Sequence, residues 1–196
     1  MDTTKTFPIT IPANLLAGSH SQTIDLVSLG LVSGAYYDVT FVAKDLAGNT
    51  TTSAPLSIKF DSVGPSVVSI TPFGPQGILG IVNPTFAWLS TTDNSGNGSG
   101  VKGYKLRVYT GSTTYATWHS CTGAYAEYDI ASGAQLSQQI TLANLYNYAW
   151  SLLAYDQMEN VGITSSCDTF YINTNVPGFS LASITDTVLN STSYTK

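Results

Sequence analysis

The residues able to do acid–base, nucleophilic or soft-metal chemistry are few: the 196-residue sequence holds 2 His and 2 Cys. His20 and His119 fall in or near predicted turns, and neither is accompanied by a Ser–His–Asp, Cys–His or paired-carboxylate spacing. Acid–base catalysis needs a base held against a nucleophile or a second acid. The spacing therefore predicts no enzyme and no catalytic residue. The glycines at 96, 98 and 100 precede a strand rather than a helix, so they do not form a phosphate-cradling loop. Cys121 and Cys167 make an even pair, which in a secreted chain favours a bridge. Both are expected toward one end of one sheet, where neighbouring strands can also hold two thiols beyond a disulfide's reach. Tyr115, Trp118, Tyr125 and Tyr128 crowd one stretch: planar rings there could stack on sugars, or simply pack a sheet. Asn49-Thr50-Thr51, Asn97-Gly98-Ser99 and Asn190-Ser191-Thr192 fit the N-glycosylation acceptor pattern in predicted loops or ends.

Strands must position these groups. From Tyr148 onward, Tyr148, Trp150, Leu152 and Ala154 alternate at period two, the signature of one strand face, with the opposite face expected to be half covered. Asp156 ends the run and a turn follows. An earlier copy exists, because Leu31, Tyr37, Val39, Phe41, Ala43 and Asp45 repeat the spacing of Leu142, Tyr148, Trp150, Leu152, Ala154 and Asp156. Ser21 to Leu26 is echoed by Ser137 to Leu142, and Asp61 to Pro65 by Asn173 to Pro177. Two motifs and one linker recurring in the same order define a tandem repeat. Further strands are expected at 56–60, 67–70, 85–89, 104–108, 115–118, 125–130 and 169–172, and a Pro-broken edge piece at 7–16. The phase divides the chain into 1–65, the C-terminal half of a sandwich; 66–177, a complete one; and 178–196, the start of a further repeat or an exchanged strand. Either the chain is cut from a longer array, or neighbouring copies complete its ends.

Composition narrows the class. Hydrophobic residues make up 43% and charged residues 10%; the first supports a packed core and the second lies well under the usual quarter. A net charge of −5 with 7 Lys+Arg leaves no basic patch for phosphates, so no nucleic-acid partner is expected. No apolar run reaches membrane-spanning length. Thr, Ser, Asn, Gly and Tyr favour short twisted strands with many turns over helices.

Short strands with turns every ~8–12 residues read as an all-β, antiparallel sandwich. Leu31, Gly34, Tyr37, Val39, Ala43 and Asp45 resemble strand F of fibronectin type III and bacterial Ig-like domains, where a Leu and a Tyr form a corner at the strand's entry. Trp88 resembles the core tryptophan of strand B in those domains. Asp93 with Gly98-Ser99-Gly100-Val101 and Tyr104 is similar to their B–C loop and strand C. Ala43-Lys44-Asp45-Leu46-Ala47-Gly48-Asn49 is similar to the AxDxAGN turn of such repeats, from which Gln157-Met158-Glu159-Asn160 departs. The resemblance implies tandem Ig-like/fibronectin type III-like sandwiches with a structural role at a prokaryotic cell surface, as stalk, adhesin, surface layer or filament. Its partners would be neighbouring repeats, copies of itself, glycans or other surface proteins; an accessory carbohydrate-binding module of a secreted enzyme is the alternative. It also implies that the B–C and F–G loops share a pole with the preceding linker. That would gather Asp93, Asn94 and Asn97 with Asp156, Glu159, Asn160 and Asp61, an all-oxygen set suited to calcium.

Overall fold

A computed structural model of the chain describes residue 21 and residues 23–115 and 120–177. The expected edge piece at 7–16, His20, Trp118, His119, the Asn190 acceptor and the segment 178–196 lie outside the described residues.

The first strands are β1 (Tyr36–Val39), β2 (Val42–Lys44), β3 (Thr50–Thr52) and β4 (Leu56–Lys59). β1 pairs antiparallel with β4, and β2 with β3. Ser53 N donates to Phe41 O between the two pairs, so 36–59 is one long hairpin. Burial alternates along β1, where Tyr37 and Val39 are half-buried, but β2 and β3 are exposed throughout, as are Phe41 and Leu56, against the expected alternation.

After the 61–65 linker come β5 (Gly77–Leu79), β6 (Thr85–Ala87), β7 (Val101–Thr110), β8 (Ala126–Ile130), β9 (Ser137–Gln139), β10 (Asn147–Asp156) and β11 (Asp168–Ile172). They form a five-stranded sheet of order β5-β11-β10-β7-β8, faced by the β6–β9 pair. β5 runs parallel to β11, and the remaining pairs are antiparallel. Residues 66–70 line the continuation of β6, with Leu89 N donating to Ser69 O and Ser66 N to Thr92 O. Side chains alternate along each strand, so one face of each sheet turns inward. The core joins Val68, Ile70, Phe86, Trp88 and Ile140 with Tyr104, Leu106, Val108, Tyr148, Trp150, Leu152, Phe170 and Ile172. Phe86 meets Trp150 and Phe170 edge-on, at ring-centroid distances of 5.2 and 5.9 Å.

β10 is buried along its whole length, where the sequence predicts one half-covered face. At the Asn147 end the cover comes from the excursion between β7 and β8, and at the other end Tyr155 lies against Lys102, Lys105 and Asp129. Asn147 Nδ2 donates to the carbonyls of Ser112 and Thr114, and Tyr115 packs on Tyr171. A Cys121–Cys167 disulfide, with Cα atoms 5.7 Å apart, ties the excursion to the segment entering β11.

Candidate metal centre

The linker after β4 threads between two loops of the sandwich, 92–100 and 156–162. Pro65 bridges to Asp93 in the antiparallel sense. Gly64 sits so close to the second loop that a Cβ there would lie 2.5 Å from the Val161 carbonyl. The threading sets three carboxylates together: one oxygen each from Asp61, Asp93 and Asp156 lies within 4.8 Å of the others.

Each carboxylate is held by its own short stretch of chain. Asp156 ends β10 and organises the turn after it: its Oδ1 accepts from Met158 N and Asn160 N at 2.8 Å, its Oδ2 from Asn160 Nδ2 at 2.8 Å. Asp93 Oδ2 accepts from Gly100 N at 2.7 Å. Residue 98 must be glycine for that loop to close, since a Cβ would sit 2.1 Å from Asp93 Oδ2. Asp61 Oδ2 accepts from Ser99 N at 2.6 Å, and its Oδ1 from Ser33 Oγ at 3.0 Å.

The electrostatics differ among the three. Burial opposes ionisation of Asp61, but the hydrogen bonds from Ser99, Val63 and Ser33 outweigh it and hold the carboxyl down to about 2. Burial pushes Asp93 above the ordinary carboxylate range; the Gly100 amide opposes this, and the charges of Asp61 and Asp156 add to it. Asp93 is 4% exposed, and its Oδ1 has no hydrogen-bond partner. Two unit charges ~4 Å apart repel by about 1 kcal/mol in water and about 4 kcal/mol at an effective dielectric of 20. A buried acceptor without a donor is a further cost. A cation bound among the three would relieve both. The donors are carboxylate oxygens with no thiolate or imidazole, which suits a hard cation such as calcium and its flexible coordination.

The other expected ligands are placed differently. Asn160 turns its amide NH₂ toward Asp156 and toward Asp61 O, at 3.3 Å, so it braces the carboxylates. Glu159 pairs with Lys102 at an exposed position. Asn94 Nδ2 donates to Ser33 Oγ at 3.4 Å, and Asn97 lies against Gly34. Ser33, Ser99 and Gly100 were not expected at the site. For Ser99 and Gly100 the sequence signal is the Gly98-Ser99-Gly100 run, whose backbone amides serve as donors; Ser33, which donates through its hydroxyl, has none.

Among the described residues of the aromatic set, Tyr115, Tyr125 and Tyr128 each pack against other side chains. Tyr125 has Arg107 over its ring at 4.7 Å and Tyr109 beside it at 5.2 Å. Tyr128 packs against the core, and Tyr115 stacks edge-on against Tyr171. Asn49 at the first acceptor tripeptide is exposed but gives its amide to Asp45 Oδ2.

Strand order and facing sheets define a predominantly antiparallel β-sandwich resembling fibronectin type III and Ig-like folds, with an acidic cluster at one pole. No family model and no curated protein matches the chain. Among solved structures it is similar to the FN1-FN3 domains of chicken CNTN1, with TM-score 0.44, 15% identity and 75% of this chain covered. It spans about half of that structure, 47%. It is also similar to a fibronectin type III domain derived from human KIAA0970 protein, with TM-score 0.37 and 14% identity over 65% of this chain and 84% of that one. No helix among the described residues is long and apolar enough to cross a membrane.

Proposed function

We propose that the chain is a non-catalytic structural module of a long extracellular repeat protein, a stalk, adhesin, surface-layer or filament component, and that calcium binds at the joint between its units. The observation that carries the calcium reading is the orphaned Oδ1 of buried Asp93, set between two further carboxylates. The Cys121–Cys167 bridge supports an oxidising compartment. The structural role is supported by the 36–59 hairpin, which repeats the β10–β11 hairpin and suits a tandem array whose neighbours are further repeats or copies of the chain. A depression lined by Val108, Thr110, Ala124, Tyr125 and Ala126 offers no paired acid and base.

The test is thermal unfolding in calcium against chelator. A ligand that binds only the native state adds about 2.7 kcal/mol at a hundredfold excess over Kd, roughly 10 °C for a domain of ~100 residues. Wild type should show the shift, and Asp93→Ala with Asp156→Ala should not. No shift at millimolar calcium would remove the calcium reading. Saturable binding on a glycan array would favour a carbohydrate-binding module instead.

A further inference from the structure

The three carboxylates do not belong to one piece of the chain. Asp93 and Asp156 are fastened to the sandwich by amides of their own loops, from Gly100 for the first and from Met158 and Asn160 for the second. Asp61 comes from the linker, one residue past Phe60, whose N–H and C=O pair with Ala35 O and Gly34 N at the base of the hairpin. The hydrogen bonds joining the hairpin base and linker to the sandwich gather in the same place. Lys59 Nζ donates to Gly98 O at 2.6 Å, Ser99 N to Asp61 Oδ2, Asn94 Nδ2 to Ser33 Oγ and Asn160 Nδ2 to Asp61 O. Each of these bonds ends on the loop that carries Asp93 or the loop that carries Asp156. Ser33 adds a hub inside the hairpin base, donating to Asp61 Oδ1 and accepting from Ser62 N. Gly34 presses on Asn94 and Asn97 so closely that a Cβ would lie 3.1 Å from each.

Resting on the calcium reading above, we propose that the cation is a lock on the joint: filling the site fixes the 36–59 hairpin against the sandwich, and emptying it frees the hairpin to swing about the linker. Without a cation, the linker's carboxylate faces two carboxylates fastened to the sandwich, and their repulsion acts across the joint, against the hydrogen bond that Ser99 N gives Asp61 Oδ2. With a cation, that same carboxylate becomes a ligand, and attraction replaces repulsion at the point where the hairpin's contacts converge. The cation binds the docked arrangement better than the swung one, because only the docked arrangement supplies a ligand from the linker. That differential is the thermodynamic requirement for a ligand to shift a conformational equilibrium. The calcium concentration outside the cell would then set the stiffness of the joint.

The test uses the full chain with nitroxide labels at Leu46→Cys, the fully exposed hairpin tip, and Thr141→Cys, exposed on the sandwich, the native disulfide being kept intact. Pulsed electron paramagnetic resonance reads the distance distribution in calcium and in chelator, and calorimetric titration of calcium is run on the same samples. The expected result is a distribution narrowed about twofold by calcium, and a broad one in both conditions for Asp61→Asn. Calcium binding with equal widths in calcium and chelator overturns the lock while leaving the calcium site standing. Absence of calcium binding removes the site and the lock together.

Discussion

The chain contains the same hairpin twice, in two surroundings. In the first, Tyr37 pairs with Ile58 and Val39 with Leu56; in the second, Tyr148 pairs with Phe170 and Trp150 with Asp168, the same register position for position. Each tyrosine hydroxyl reaches back five residues, Tyr37 accepting from Val32 N and Tyr148 donating to Ala143 O. At the end of each arm an aspartate is clasped by an asparagine four residues on, Asp45 just past β2 by Asn49 and Asp156 closing β10 by Asn160, through one backbone and one side-chain bond of 2.8 Å. Their surroundings differ completely. Leu152 is 0% exposed and its counterpart Phe41 58%. Asp156 lies beside two further carboxylates, and Asp45 stands alone at an exposed tip. Local sequence thus suffices to shape the hairpin, its tyrosine bond and its turn. Burial and the acidic cluster come from what the rest of the chain brings alongside.

The largest effect should come from the core position that only one copy fills. Trp150→Ala empties a site where the indole meets Phe86 and donates to Pro75 O, and should cost about 3–5 kcal/mol. Val39, its counterpart, is half-buried on the hairpin, and Val39→Ala should cost about 1 kcal/mol. Chemical denaturation of both variants checks this; equal losses would mean the two faces are buried alike.

The outer face of β10 provides the next test. Reducing Cys121–Cys167 frees the excursion that covers its Asn147 end, and for a sequence separation of 46 the loop-closure estimate is about 4 kcal/mol. Unfolding with and without reductant measures the loss, and unchanged stability would mean that the bridge does not constrain the unfolded chain as loop closure requires.

A smaller effect should appear at high pH. Burial, and then the hydrogen bond to Asp129, push Tyr155 up to about 12, whereas its counterpart in the first hairpin is exposed Lys44. The unfolded phenol ionises near pH ~10 while the folded one keeps its proton. Stability should therefore fall as pH rises from about 10 to about 12. Tyr155→Phe should flatten that slope without abolishing it, since burial also raises Tyr104 and Tyr148. An unchanged slope in the variant would contradict the assignment.

How much of this was legible follows from range. The alternation at 148–154 and its copy at 37–43 could be read directly, because a strand's period is local. The pole shared by Asp61, Asp93 and Asp156 was reachable only through the resemblance, which supplies the topology that spacing does not. β5 escaped notice because Gly77-Ile78-Leu79 is too short to alternate and pairs in parallel with a strand ~90 residues away. The burial of β10 at its Asn147 end was missed because its cover there is a distant excursion anchored by backbone carbonyls, which have no sequence signature. Asn94 and Glu159 carry oxygen donors, but the Asn94 amide turns to Ser33 and the Glu159 carboxylate to Lys102, while Asn97 sets its Cβ and backbone carbonyl against Gly34. Ligand type was visible in the sequence; direction was not.

On the calcium reading, the company of Asp61 and Asp93, not the local aspartate–asparagine turn, makes Asp156 part of a cation site. Calorimetric titration of calcium into the chelator-stripped full chain, beside Asp61→Asn, Asp156→Asn and Asp45→Asn, tests it most directly. One site per chain is expected, weakened about tenfold or more by Asp61→Asn and by Asp156→Asn and unchanged by Asp45→Asn. No binding heat in the wild type, or a loss at Asp45→Asn as large as at Asp156→Asn, would contradict it.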